Sequence, residues 1–274
     1  MKKRPVKSIS ILSCIFLFCL TPPASYVRSL AVMSIYSRQM EKESLMAAAG
    51  FDIEMPGGLS TRETDWYPFV MTFVDNEGFQ NYMNNEDLSL TILYNFPAFS
   101  LEHGCSRLFD ESSPYYNGFY GAYLVSDRSG QPFGFYSDGD INKNTIISVP
   151  KFDFYWLVLE DFGLSEEDFV FDCDITSIEK NVICSGYDEW TRIDADITVS
   201  GACHTAEKNV ASYLQYGRPA FDVSSEFSPV TMKGRIYARY FPEWNTSIFY
   251  YIIASKEKVL EKCDKNILSL SKIF

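Results

Sequence analysis

The stretch "GRIYARYFPEWNTSIFYYIIAS", Gly234 to Ser255, decides the fold. Two runs of Ile, Tyr and Phe flank Pro242-Glu243-Trp244-Asn245. Aromatic and β-branched residues suit a pleated surface, and Pro242 and Asn245 are turn residues, so the pattern predicts two strands around those four positions. The chain then changes period. In "SKEKVLEKCDKNILSL" (255–270), Val259, Leu260, Cys263, Ile267 and Leu268 fall at helical spacing, with Ser255 placed to cap the helix.

Upstream segments repeat the strand signal. "WTRIDADITVS" (190–200) alternates, placing Ile193, Ala195 and Ile197 inward and Asp194 and Asp196 toward water. "FDCDITSIEKNVICSGY" (171–187) reads as a hairpin turning at Glu179-Lys180-Asn181. "SPYYNGFYGAYLVSDRSGQPFGFY" (113–136) reads as another, turning at "DRSG", with a first arm apolar on both faces and therefore central in the sheet. "LSLTILYNFPAF" (88–99) and "WYPFVMTFV" (66–74) are further strands. Residues 29–50 form an amphipathic helix ended by Gly50. "KFDFYWLVLEDFG" (151–163) fits helix or strand, and Ser165 with Asp168 resembles a capping box. Strands dominate and no βαβ rhythm is sustained. The class expected is α+β, a mostly antiparallel β-sheet with an N-terminal and a C-terminal helix packed on it.

Organisation and charge follow. "MKKRPVK" is basic and "SISILSCIFLFCL" (8–20) is an apolar run of 13 residues, short of the roughly 20 that a spanning helix needs. Residues 1–25 are read as a signal sequence or uncleaved anchor, and 26–274 as one α+β domain with a polar internal boundary at 137–144. The chain carries −12, and Lys2, Lys3, Arg4 and Lys7 lie in the leader, so removing those four charges leaves −16. Such a surface repels phosphate backbones, which excludes nucleic acid as an expected partner. Membrane contact is expected only through the N-terminal segment, and the location is extracellular or at the cell surface.

The chain has two histidines, each beside a cysteine: His103 with Cys105, and His204 with Cys203. Together they supply the donors of a Cys₂His₂ zinc set, although the adjacent pair points to opposite faces of a strand. The same four also serve a thiol nucleophile activated by the histidine of the other segment. Cys173 and Cys184 lie on opposite arms of the expected 171–187 hairpin and are the disulfide candidates. Asp138, Asp140 and Asn142 alternate as calcium ligands do, but Lys143 and Val149 occupy positions where a calcium loop needs Gly and Glu. Trp66, Tyr67, Trp190 and Trp244 are candidates to stack on a carbohydrate or cell-wall ligand beside Asp188 and Glu189, although aromatics more often fill cores. No P-loop, dinucleotide, H-E-x-x-H or G-x-S-x-G pattern occurs, and no cofactor is expected. The expectation is an exported or membrane-tethered binding module of bacterial type, with a thiol- or carboxylate-dependent hydrolase as the alternative.

Overall fold

The computed structural model describes residues 31, 34–56, 66–97, 99–100, 105–109, 111–160, 163–201, 203–204, 225–266 and 268–274; for 66–71, 96–100, 105–106, 109, 203–204, 225–226 and 266 it describes the backbone alone. After a helical segment at 34–41 come α1 (Leu45–Ala49), β1 (Ile53–Glu54), β2 (Trp66–Val74), α2 (Glu77–Met83), β3 (Leu88–Pro97), β4 (Phe99–Ser100), β5 (Cys105–Ser106) and β6 (Phe119–Asp127). Then α3 (Lys143–Phe152) continues as a π-helix (Asp153–Leu159), followed by β7 (Phe171–Cys184), β8 (Tyr187–Ser200), β9 (Cys203–His204) and β10 (Ser225–Glu226). The chain closes with β11 (Pro229–Phe241), β12 (Thr246–Ala254), α4 (Glu257–Asn266) and β13 (Lys272–Ile273).

Seven strands form one antiparallel sheet in the order β2-β3-β6-β12-β11-β8-β7, as an α+β fold requires. The stretch at 234–255 supplies its centre. β11 and β12 pair from Lys233↔Ala254 to Phe241↔Thr246 around a 3-10 turn at Pro242–Trp244. Asn245 closes that turn in the left-handed region, φ 47°, and its side chain donates to the Asp127 carbonyl at 2.7 Å, joining the turn to β6. All nine residues of β12 are buried, which explains a run with no polar alternation.

β6 lies between β3 and β12, with both faces covered. Its centre admits only glycine. A Cβ on Gly121 would stand 1.7 Å from the Leu93 carbonyl oxygen, where the Tyr251 hydroxyl also docks at 3.1 Å from that oxygen. The second arm expected for the 113–136 hairpin does not form. Both edges of β6 are already occupied, and the returning chain makes only an isolated bridge, Phe135↔Ile141.

The turn expected at Glu179-Lys180-Asn181 is also corrected. Asn181 has φ 59°, but it marks a bulge in one continuous fourteen-residue strand. The reversal comes at Ser185 and Gly186, φ 51° and 81°, the two left-handed residues that a tight two-residue hairpin loop requires.

Helices cover both faces. α3 and the π-helix lie on the first, where Phe154 meets Phe119 and Phe171. Pro150 inside α3 lacks the N–H that an α-helix needs, and three residues later the helix has widened to the π form. On the second face, α1 is held to β3 by the Leu45 amide donating to Thr91 Oγ1, and α4 covers β11 and β12. Gly50 caps α1 as expected, φ 77°, but the helix expected over 29–50 is interrupted at 42–44, where Ser44 starts a new one by accepting from the Ala47 amide. α4 is buried through Val259, Leu260 and Cys263. Ser255 does not cap it; its hydroxyl donates to the Pro114 carbonyl instead. Among the described residues no helix is long and apolar enough to cross a membrane.

Candidate functional site

The second face of the sheet carries charge in rows. Lys233, Arg235, Tyr237 and Arg239 alternate along β11, and Arg192, Asp194 and Asp196 alternate along β8. Register places opposite charges directly across from each other, Lys233↔Asp196 and Arg235↔Asp194. α4 brings Glu257, Glu261 and Asp264, spaced four and three residues apart, over the same row.

Arg235 is the hub, with a side chain only 7% exposed. Its Nε donates to Asp194 at 2.5 Å, Nη1 to Asp264 at 2.5 Å and Nη2 to Glu261 at 2.7 Å, so every edge of the guanidinium meets a carboxylate. Burial pulls its pKa down, and hydrogen bonds to Glu261, Asp194 and Asp264 more than offset that, for a net rise. Tyr237 donates to Asp264 at 2.9 Å, and its own pKa rises through burial first and the Asp264 charge second.

Next to this hub opens a cleft of about 280 Å³, lined by Thr176, Ser177, Asp194, Asp196, Lys233 and Glu257 among others. Lys233 Nζ lies 2.5 Å from Asp196, and that hydrogen bond raises its pKa, so it stays an ammonium and is no general base. Ser177 donates to Asp194 at 3.0 Å, but that carboxylate is already held by Arg235 and, at 3.2 Å, by Arg192. Its oxygens are committed to two guanidinium groups. The arrangement suits recognition of charge more than activation of a nucleophile.

A second polar group is sealed in the core. Asp153, fully buried on the π-helix, accepts hydrogen bonds from Tyr94 and from Tyr123, the latter at 2.6 Å. Desolvation raises the Asp153 pKa and the two phenols lower it, leaving it at about 7. Tyr123 stacks on Tyr251 at 4.1 Å between ring centroids.

The residues singled out from the sequence fall differently. His103 lies outside the described residues. Cys105 pairs with Ser100 in one two-stranded ribbon, while Cys203 and His204 pair with Glu226 and Ser225 in another; their side chains, and those of Trp66 and Tyr67, lie outside the described set, as does the signal sequence expected at 1–25. Cys173 and Cys184 are both free thiols, which overturns the expected disulfide. Cys173 stands opposite Ile197 and Cys184 opposite Tyr187, near the two ends of one strand and roughly 35 Å apart at about 3.3 Å per residue. Burial pushes both thiols up to about 11, so they rest protonated.

Trp190 is a core residue, fully buried and stacked on Tyr250 at 5.2 Å. Trp244 stacks against Phe51 at 4.3 Å and Phe241 at 4.8 Å, which leaves little ring face for a sugar. The oxygens of the 137–144 segment are engaged locally: Asp138 accepts from the Asp140 amide, Asp140 pairs with Lys180, and Asn142 caps α3 by accepting from the Thr145 amide. Among the described residues no three His, Cys, Asp or Glu side chains converge as metal ligands.

The Arg235 network and Asp153 escaped sequence reasoning. One signal was available for the first, since three cations among four alternate positions of a central strand demand acidic partners nearby. Comparison of the chain with protein-family models, curated proteins and solved structures finds no match.

Proposed function

We propose that the protein is an exported binding module of the cell exterior, and that it recognises a cationic group, such as a lysine or arginine side chain of a basic peptide, in the cleft between the β8–β11 face and α4. One observation carries this reading. Arg235 and Lys233 spend their charge on Asp194, Glu261, Asp264 and Asp196, and Glu257 on the cleft wall forms no ion pair among the described residues. The cleft therefore presents surplus negative charge beside a polar floor. The basic leader and its 13-residue apolar run support export. A binding role also fits the protonated Lys233 and the doubly held Asp194, neither of which is free to take a proton from a hydroxyl.

Titration calorimetry with an oligolysine peptide tests the site. Saturable binding that weakens with salt and drops about tenfold in Glu257→Gln is expected, since one surface-accessible charge pair at a partly desolvated site contributes roughly 1–1.5 kcal/mol. Equal binding by wild type and Glu257→Gln would place recognition elsewhere on the acidic surface and sink this reading.

A further inference from the structure

Arg239 closes the basic row of β11, one strand repeat beyond Tyr237, and its surroundings contrast with those of Arg235. The Arg239 side chain is 16% exposed, and its guanidinium carbon stands 4.6 Å from the ring centroid of Phe241 and 5.0 Å from that of Tyr187. Two aromatic rings hold the cation in place, as cation–π contact favours. Nothing completes its hydrogen bonding in the way three carboxylates complete that of Arg235. Nη1 is buried with no acceptor among the described residues, and the ion pair that Arg239 makes among them is a long one, 3.9 Å from Nη2 to the mostly exposed Glu189. Glu189 occupies φ 62°, a backbone conformation that costs an L-residue energy.

A second orphan donor sits in the same cluster. Trp190 is fully buried, meets Phe241 edge to face at 5.8 Å, and its Nε1–H also has no acceptor among the described residues. Thr191 pairs with Ala238, so Trp190 and Arg239 are the next residues outward on adjoining strands. Buried donors without acceptors are rare in native proteins, and a desolvated guanidinium is the costliest of them to leave unmet. Both of these donors neighbour one phenylalanine, Phe241, which puts them in one cluster at this end of the sheet.

We infer that Arg239, walled by Tyr187 and Phe241, binds an oxyanion, best a planar carboxylate that the guanidinium fork can grip with two parallel hydrogen bonds. Glu189 acts as the resident stand-in, displaced when the ligand enters. The net negative charge of the chain does not forbid this, because charges beyond about 8 Å are screened at physiological ionic strength.

The test is a titration of the full chain followed by ¹⁵N–¹H NMR, reading the assigned Trp190 indole N–H and Arg239 Nε–H signals while adding acetate, benzoate or inorganic phosphate at constant ionic strength set with chloride. Both signals should shift saturably with a carboxylate. Glu189→Gln, a change at an exposed side chain that leaves the fold intact, should tighten binding at least about threefold by removing the competitor. Arg239→Lys keeps the charge and loses the fork, and should weaken binding about tenfold while the rest of the spectrum stays native. Phosphate binding more tightly than either carboxylate would support the oxyanion site and reassign its ligand to the tetrahedral class. No saturable shift in wild type or in Glu189→Gln, or the same shift produced by chloride alone, would overturn the inference.

Discussion

Replacing Asp153 by asparagine should remove a specific piece of the protein's pH dependence. In the native state the carboxyl titrates at about 7, because the interior cannot solvate its charge and the Tyr94 and Tyr123 hydroxyls recover only part of the loss. In the unfolded chain it titrates at its ordinary value of 3.8. Between those values the native state holds a proton that the unfolded state has released, so stability falls as pH rises through the window and is level above it. At about 1.36 kcal/mol per pH unit the span amounts to about 4 kcal/mol. The amide that replaces the carboxyl in Asp153→Asn cannot ionise, so the variant lacks this slope.

The assay is urea unfolding of both proteins from about pH 4 to 8, followed by tryptophan fluorescence and extrapolated linearly to water. Subtracting the variant from wild type cancels the other carboxylates, whose environments are shared. The difference should favour wild type by about 1–2 kcal/mol near pH 4, where a protonated carboxyl still fits between the phenols. It should reverse by about pH 7. Parallel profiles across the window would show that Asp153 either ionises normally in the fold or is not buried as described, and the reasoning would fail.

Two further outcomes are expected. Arg235→Ala should cost about 3–5 kcal/mol in the same unfolding assay, since it strands the mostly buried Asp264 without its counter-ion and leaves Asp194 with Arg192 alone, whereas Arg128→Ala, whose pair with Asp87 is exposed, should cost under about 1 kcal/mol. Protein denatured without reductant and treated with iodoacetamide should show Cys173 and Cys184 each alkylated by peptide mass spectrometry; a linked pair of peptides would contradict the fourteen-residue strand.

Legibility varied with the range of the interaction. The 234–255 hairpin was readable because its turn is unambiguous and its flanks have no competing reading. The inward set Ile193, Ala195 and Ile197 was readable from alternation, and all three are buried. The β7–β8 turn was not, because Glu179-Lys180-Asn181 and Ser185-Gly186 are both acceptable turn sequences within a short span. Only the burial of Val199 and Ile197 against the first face selects the later one. Asp194 was expected in water for the same reason that its alternation was clear, since a strand pattern reports which face a residue is on and says nothing of what covers that face. Here α4 covers it, and Arg235 meets it from forty-one positions away.

The sequence by itself determined the antiparallel α+β class, the two strands within 234–255, a closing helix and a net charge of −12. These follow from local periodicity and composition, which are summed along the chain. Tertiary structure decided everything with a site in it: the carboxylates gathered round Arg235, the unpaired donors of Arg239 and Trp190, and the Asp153 carboxyl sealed between two phenols. Each depends on strand register and helix placement, and a one-residue slip would turn every one of these side chains to the opposite face.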